Sequence, residues 1–471
     1  MMKIIGFKNS SVAIFGLGIS GLAAAKALLG SGVRVVAWDD NPRSLAHAKS
    51  LGIDISDFRS VQWSQFAALI LSPGAPLTGP QVHWCVGLAK RSGVEIIGDI
   101  ELFVRERRLS AVNSPFIAVT GTNGKSTTVA LISHILSKNS RDVQLGGNIG
   151  NPVMSLADFA VDRFYVIECS SYQIELTPTI DPSVGVLLNL SVDHLERHVT
   201  LERYAAIKQR LVMMSRHAVV CMNDSLCEGI ASNIVAAGHE ITRISSQPTS
   251  SDMELYIDGS YLKSCETSNV LMDLSGKDNL GCHNIQNTAA AVVVCLQLGL
   301  EIDEIRDSLS SFRGLTHRFQ KIAQVREVVF INDSKATNMD SVLQALLTEK
   351  RRIYWIAGGL LKSNDVSILF PFLSKIVKAY FIGKAADVLA NKLEGKIHFE
   401  ISKNIDKAVI NASNDAVASG LPSVVLFSPG GASFDQYKNF KERGFAFMSC
   451  VSAVKGVKML VDVDEERQSP W

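Results

Sequence analysis

The sequence predicts an α/β protein with mainly parallel sheets, arranged as three domains. Apolar, β-branched runs alternate with helical stretches almost throughout, the pattern of strand–helix–strand layers. A chain of 471 residues also exceeds what one hydrophobic core organises. Glycine-rich turns directly follow two of the early strands, as strand-to-helix crossovers require.

Three blocks follow in order. The first, residues 1–109, opens with a strand at Val12 to Phe15 and continues through Val33 to Trp38 and Ala68 to Leu71. It ends around Arg105-Glu106-Arg107-Arg108. The second, residues 110–313, has strands at Phe116 to Val119, Phe164 to Ile167 and Val184 to Leu188, and closes on helical Ala289 to Leu298 and Glu304 to Leu309. The third, residues 314–471, has strands at Val328 to Ile331, Ile353 to Ile356, Ala379 to Ile382 and Ser423 to Phe427.

Composition excludes several classes of function. Hydrophobic residues make up 47% and charged residues 20%, an ordinary globular balance. A formal net charge of +1 provides no global field for nucleic acid or an anionic membrane, so any bound anion needs a local site. The first residues run into polar ones without a secretory signal, and the apolar run Ala289 to Leu300 is shorter than the ~20 residues of a membrane span. Eight cysteines without CxxC pairs fit reduced thiols, hence a cytoplasmic protein, expected as a monomer. Cys282-His283 has no second Cys/His pair to complete a zinc site.

The strongest local signal is Thr120-Gly121-Thr122-Asn123-Gly124-Lys125-Ser126-Thr127, between an apolar strand and the helical Val129 to Leu136. Gly121 and Gly124 let backbone N–H groups of Thr122 and Asn123 turn towards phosphate oxygens, and the helix N-terminus adds partial positive charge. Lys125 can reach the terminal phosphates of ATP, while Ser126 or Thr127 can ligate Mg²⁺. The spacing is shorter than a standard Walker A loop, which would need glycine where Val119 stands. Glu168, ending the next strand, suits Mg²⁺ through its oxygens. From the residues alone, His194 in Asp193-His194 reads equally as a ligand or a solvated loop histidine, and Lys208 on the next helix reads as a solvated helix lysine.

The shortened loop resembles that of the Mur ligases and their relative folylpolyglutamate synthase. The resemblance implies a central P-loop ATPase domain in which ATP phosphorylates a substrate carboxylate and an amine then attacks the acyl phosphate. It also implies roles for single residues. His194 and Lys208 join Ser126 and Glu168 around Mg²⁺, with Lys208 carbamylated by CO₂. Asn148, in Gly146-Gly147-Asn148-Ile149-Gly150-Asn151-Pro152, lies near the muramoyl substrate, and Asn284 lies near the adenine.

In the first block, Gly16-Leu17-Gly18-Ile19-Ser20-Gly21 follows a strand and Asp39-Asp40 ends the next, a Rossmann-like dinucleotide fingerprint. Both NAD and a UDP-sugar present a pyrophosphate to such a turn, so the residues leave both open. The resemblance, supported by Ser72-Pro73-Gly74, selects the UDP-substrate and implies contacts from Ile19, Ser20, Asp39, Asp40 and Ser72.

The third block is expected to be Rossmann-like as well. Arg318, in His317-Arg318-Phe319, is a candidate for neutralising transferred phosphate. Asp333, in Asn332-Asp333-Ser334-Lys335-Ala336-Thr337-Asn338, is implied at ATP. Gly358-Gly359-Leu360-Leu361-Lys362 and the string from Ser428 to Phe440 resemble the D-glutamate-adding branch of the family. That branch implies UDP-N-acetylmuramoyl-L-alanine and D-glutamate as substrates, with Thr337, Lys362, Ser433 and Phe440 on the amino acid. Gly430-Gly431 in place of Ala-Cys, Gln320 in place of an acidic residue, and Leu360-Leu361 depart from the branch pattern. The runner-up is another Mur ligase or a folylpolyglutamate synthase, the latter lacking the UDP-binding block of Gly16 to Asp40; an NAD-dependent oxidoreductase and a nucleotide-controlled binding module are the competing classes. The first leaves the phosphate loop unexplained, and the second would release no phosphate.

Overall fold

The computed structural model describes all residues except 1, 111, 246–254, 266–268, 275–281, 313 and 469–471, and the side chains of residues 282–284 and 468 also lie outside the description. The described residues form three sheets, one in each block. The chain divides into two compact units, Met1–Leu274 with Gln286–Phe312, and Ser275–Ile285 with Arg313–Trp471. The first unit holds two of the sheets and the second holds one.

In the first sheet, five parallel strands run in the order Asp54–Ile55, Arg34–Trp38, Ser11–Phe15, Phe66–Leu71, Glu95–Ile97. Chain order reverses across Ser11–Phe15, which opens a crevice at its C-terminal end. The glycine turn sits there. Gly16 has φ +91°, and a Cβ on it would lie 2.4 Å from Ser72 Cβ. A Cβ on Gly21 would meet the carbonyl oxygen of Gly16 at 1.9 Å, so the helix Ile19–Gly30 can only pack this close with glycine there.

The second sheet has a parallel body and an antiparallel end. Strands Glu240–Ser245, His217–Met222, Val184–Leu187, Phe116–Thr120, Arg163–Glu168 and Asp142–Gly147 pair in that order, all parallel. Leu255–Asp258, Tyr261–Ser264 and Val270–Asp273 extend it, the last two antiparallel. Phe116–Thr120 is buried along its length, as its uninterrupted apolar run requires of a central parallel strand. Its register sets Val119 beside Glu168 and Thr120 beside Leu187. Three chain segments therefore leave the sheet at one edge.

The third sheet, in the second unit, runs Phe399–Lys403, Ile376–Ile382, Arg352–Gly358, Ser423–Gly430, Val328–Asn332, Gln320–Val325, Lys458–Met459, with the last two pairings antiparallel. Separate apolar layers cover its two faces, one including Trp355 and Phe381 and the other Phe330 and Phe427. Among the described residues, no helix is long and apolar enough to cross a membrane.

Candidate active site

The phosphate loop is an N-terminal helix turn fixed from several sides. The helix Lys125–Lys138 starts after Gly124, whose φ is +89° and where a Cβ would fall 2.2 Å from Asn287 Oδ1. Thr122 N–H donates to the Asn189 carbonyl at 2.9 Å, and Asn123 N–H to Asn189 Oδ1 at 2.8 Å. Asn189 Nδ2 returns a bond to the Asn123 carbonyl. Ser191 N–H donates to Thr122 Oγ1 at 3.0 Å, and Tyr204 OH lies 3.2 Å from the same oxygen. The segment leading to Asp193-His194 is thus zipped to the loop. Lys125 Nζ donates to the carbonyls of Gly121 and Thr122, both at 2.8 Å.

Glu168 links the loop to its neighbour. Its carboxylate is 2% exposed; Oε2 accepts from Ser126 Oγ at 2.5 Å and Oε1 from Asn148 Nδ2 at 2.8 Å. The Asn148 backbone N–H also donates to the Glu168 backbone carbonyl at 2.9 Å. Three sequence-predicted residues thereby meet at one carboxylate.

Lys208 lies on the helix Leu201–Met213, one turn after Tyr204, and is 1% exposed. Its Nζ donates to Thr120 Oγ1 at 3.0 Å and to the Gly121 carbonyl at 2.8 Å, and sits 4.8 Å from the Tyr204 ring centre. Burial drives its pKa well below the usual lysine range, and the charge of Lys125 adds to that.

His194 adopts a left-handed backbone, φ 56°, ahead of the single turn Leu195–His198. Its Nδ1 is 2.8 Å from Tyr172 OH and 3.2 Å from Glu196 Oε1, and its Nε2 is 3.5 Å from Asp193 Oδ2. Behind it, Arg197 pairs with Glu175, both almost fully buried, and donates to the Ala75 carbonyl of the first block. His198 is bonded to Ser171 Oγ, and burial pushes its pKa down to about 4.

At the glycine turn, Asp39 takes Leu17 N–H at 2.6 Å and Asn41 N–H at 2.7 Å, so both of its oxygens shape the turn. Asp40 accepts from His83 Nε2 at 3.0 Å and from Trp84 Nε1 at 3.3 Å. Ile19 is exposed at the first position of the helix, next to Ser20. Ser20 and Ser72 line a small cavity together with Asp99. Asp99 is buried, its Oδ2 has no hydrogen-bond partner, and burial raises its pKa to about 6.

The second unit holds a separate cluster. Leu360 and Ala432 exchange backbone hydrogen bonds, both 2.8 Å, and Gly430 N–H donates to the Ala336 carbonyl. The segments carrying Thr337, Lys362 and Ser433 are knitted together by these bonds. Ser334 Oγ donates to the Phe440 carbonyl, and Lys335 Nζ sits 4.0 Å from the Phe440 ring centre. Ser433 is buried, Thr337 and Phe440 are partly exposed, and Lys362 is exposed. The Gly430 departure has a local cause: φ is +71°, and a Cβ would lie 2.7 Å from Met339 Cε. Asp333 accepts from Phe319 N–H at 3.0 Å and Ser428 Oγ at 2.8 Å, and burial raises its pKa to about 7. The charge of Arg318 opposes that rise.

Residues 119–295 match the Mur ligase middle domain. Over 98% of its length the chain is 52% identical to the UDP-N-acetylmuramoylalanine–D-glutamate ligase of Rhizobium meliloti (strain 1021), covering all of that protein. The chain belongs to the Mur ligase family. The ligase of the same name from Agrobacterium fabrum is 51% identical over 98% of this Mur ligase and 99% of its own length. Among solved structures, the UDP-N-acetylmuramate–alanine ligase of Thermotoga maritima shares the fold, with a TM-score of 0.58, 16% identity, and coverage of 94% and 100% of the two chains. Acinetobacter baumannii MurF does so with a TM-score of 0.55 and 19% identity, over 78% and 82%.

Sequence reading missed several residues of this Mur ligase. Tyr172 and Glu196 flank His194, Asn189 and Tyr204 brace the phosphate loop, and Asp99 lines the cavity beside the glycine turn. In the second unit, buried Arg443 donates to the carbonyls of Ser334 and Gly431. Tyr172 stands four residues after Glu168 and Asn189 four residues before Asp193, but nothing in the local sequence names their partners. The Asn284 side chain lies outside the described residues.

Mg²⁺ would fit the donors present. Among the described residues, no group of three or more His, Cys, Asp and Glu side chains gathers to hold a metal. Mg²⁺ needs no such cage, since it takes one or two carboxylates and completes its shell with water and substrate phosphates. Glu168, already bonded to the loop hydroxyl of Ser126, supplies that carboxylate.

Proposed function

We propose that this Mur ligase adds D-glutamate to UDP-N-acetylmuramoyl-L-alanine, with consumption of ATP, in the synthesis of peptidoglycan precursors. One observation carries the chemistry: the Glu168 carboxylate is bonded both to Ser126 of the phosphate loop and to Asn148 of the segment expected at the muramoyl substrate. A group in that position spans phosphoryl donor and acceptor. The identity of the amino acid rests on relatives of 49–52% identity that are D-glutamate ligases.

Bound MgATP would supply the phosphoryl group and the dication that screens its charge. Thr122 and Asn123 give their N–H groups to Asn189, so the N–H groups at the start of the helix Lys125–Lys138 are the ones proposed for phosphate oxygens, and Lys125 would exchange the loop carbonyls for the terminal phosphates. Ser126, Glu168 and His194 are the metal-side residues. With charge screened, the substrate carboxylate attacks the terminal phosphorus and ADP leaves. The amine of D-glutamate then attacks the acyl carbon, loses a proton, and phosphate leaves as the amide forms.

Lys208 is proposed to join the metal side as a carbamate. The unprotonated amine attacks CO₂ and releases one proton to solvent, which turns the side chain into an anionic oxygen donor. The buried, low-pKa setting of Nζ supports the first requirement. Asp39, Asp40, Ser20, Ile19 and Ser72 are proposed at the UDP moiety, Arg318 and Asp333 at ATP, and Lys362, Thr337, Ser433 and Phe440 at D-glutamate. The division at residues 109 and 313, a monomeric state and a cytoplasmic location belong to the same proposal.

The experiment is a panel of amino acids, D-glutamate included, assayed for ADP formation with ATP, Mg²⁺ and UDP-N-acetylmuramoyl-L-alanine. D-Glutamate alone should drive turnover. Preference for L-alanine, lysine or diaminopimelate would overturn the choice of substrate.

A further inference from the structure

We infer that Arg197 is a positioning residue that sets the register between the loop carrying Ser72 and the turn carrying His194, and so aligns acceptor and donor for phosphoryl transfer. The inference rests on the proposed function, which puts the UDP-substrate at the loops of the first sheet and ATP at those of the second. With the two reactants held by different sheets, the attack distance depends on how the sheets are joined. A misplacement of about 1 Å in such a site can cost roughly 100-fold in rate.

Three segments distant in sequence meet at this guanidinium. Arg197 Nη2 donates to the Ala75 carbonyl at 3.1 Å and to Glu175 Oε2 at 3.3 Å, and its Nε lies 3.4 Å from the same carboxylate oxygen. Thr78 Oγ1 donates to the other oxygen of Glu175, so the loop after the strand Phe66–Leu71 is gripped at two points. Gly79 closes the contact: its φ is +94°, and a Cβ there would lie 2.4 Å from the Arg197 carbonyl oxygen. The grip reaches a proposed site residue on each side through one backbone bond. Ala75 N–H donates to the Ser72 carbonyl at 2.9 Å, and Arg197 N–H donates to the His194 carbonyl at 3.0 Å.

The chemistry of the pair argues for register rather than adhesion. The side chains of Arg197 and Glu175 are 6% and 7% exposed, and replacing such a buried pair by apolar residues of similar volume is often neutral or stabilising. Apolar contact would therefore hold the segments together as well, but it is non-directional and would let them slide. A guanidinium is planar, with its donors in a fixed fork, so it meets the Ala75 carbonyl and the Glu175 carboxylate together at one relative placement. The Tyr172 ring, whose centre is 4.9 Å from the guanidinium carbon, backs the fork. Tyr172 and Glu175 share the short helix Ser171–Glu175, which starts three residues after Glu168. The phosphate-loop carboxylate and the grip on the first block are thus tied along one stretch of chain.

The test uses full-length protein as wild type, Arg197→Lys, Thr78→Val and the double variant. Lysine keeps the charge opposite Glu175 but loses the fork, and valine removes the Thr78 hydroxyl at nearly constant volume. The kcat for D-glutamate ligation should fall roughly 100-fold in Arg197→Lys and about 10-fold in Thr78→Val. The double variant should lose no more than Arg197→Lys alone, because both changes cut one link. Calorimetric affinities for UDP and for a non-hydrolysable ATP analogue, each measured alone, should stay within about 3-fold of wild type. Amide hydrogen exchange in the ligand-free protein should quicken across residues 72–79 in both single variants and stay unchanged in the helix Lys125–Lys138. A kcat within about 3-fold of wild type in folded Arg197→Lys, or nucleotide affinity lost in step with kcat, would overturn the inference. Losses that multiply in the double variant would overturn the single link. If Arg197→Lys does not fold, Thr78→Val decides, and normal kcat with normal exchange there overturns the inference. Failure of wild type to ligate D-glutamate would fall on the proposed function instead.

Discussion

Ser126 Oγ and Glu168 Oε2 are 2.5 Å apart, a charge-assisted contact between the first turn of a helix and the end of the neighbouring strand. It exists because Phe116–Thr120 and Arg163–Glu168 are adjacent parallel strands in register, with Val119 opposite Glu168. Local chain geometry makes the phosphate loop, and sheet pairing delivers the carboxylate to it.

Glu168→Gln should therefore damage turnover far more than nucleotide binding. The amide keeps the shape and one acceptor but removes the buried charge proposed to face Mg²⁺. The expected loss in kcat is roughly 100-fold or more, with a raised Mg²⁺ requirement and little change in ATP affinity. Steady-state kinetics over a Mg²⁺ titration checks this. A normal kcat at ordinary Mg²⁺ would remove Glu168 from the metal side.

Lys208→Ala should abolish ligation, because the Nζ bonded to Thr120 and Gly121 is the proposed site of the carbamate. Short-chain carboxylates such as acetate should restore part of the activity by supplying the missing oxygen donor. Turnover assays with and without acetate decide the point. A fully active Lys208→Ala returns the residue to a purely structural role.

Asp99 gives a pH-dependent stability with a definite sign. Its folded pKa, about 6, lies above the ordinary aspartate value of about 3.9, so the folded protein binds the extra proton between them. That contribution is fully present below the lower value and is lost as pH rises through about 6. The shift corresponds to about 3 kcal/mol at most. Asp99→Asn should thus gain on wild type as pH rises from 4 to 7. Melting curves across that range check the slope; parallel curves for the two proteins would contradict it.

Lys362→Ala should raise the Michaelis constant for D-glutamate about 10-fold or more and leave that for ATP nearly unchanged. An exposed ammonium beside the knitted segments of Ser433 and Thr337 can pair with the second carboxylate of a dicarboxylic amino acid. Basic amino acids should be poor substrates because their ammonium would meet Lys362. Equal effects on ATP and D-glutamate would contradict the assignment.

Much of the fold was legible in the sequence because it is written in local periodicity. The buried strands Phe116–Thr120, Val328–Asn332 and Ser423–Gly430 each contain an apolar run of four residues, Phe116 to Val119, Val328 to Ile331 and Val424 to Phe427, and the phosphate loop announces itself by glycines between a strand and a helix. The antiparallel strands from Leu255 to Asp273 were not read, since they are four residues each and only partly buried. The site was legible where chemistry sits at a strand end, as at Glu168. It was illegible where it depends on contacts distant in sequence, such as Tyr172 with His194 or Arg443 with Gly431. The acid at Asp39 shows a different limit. Its place after the second strand is what a ribose-binding acid needs, but the same place lets it take two backbone N–H groups of its own turn.

The most direct test of the central claim follows an oxygen atom. UDP-N-acetylmuramoyl-L-alanine carrying heavy oxygen in its alanyl carboxylate is incubated with the protein, Mg²⁺, ATP and D-glutamate, and released phosphate is examined by mass spectrometry. Attack of that carboxylate on ATP, followed by amide formation, transfers labelled oxygen to phosphate in step with product. Labelled phosphate that appears only when D-glutamate is present is the predicted result. Unlabelled phosphate alongside the amide product would contradict the acyl phosphate route.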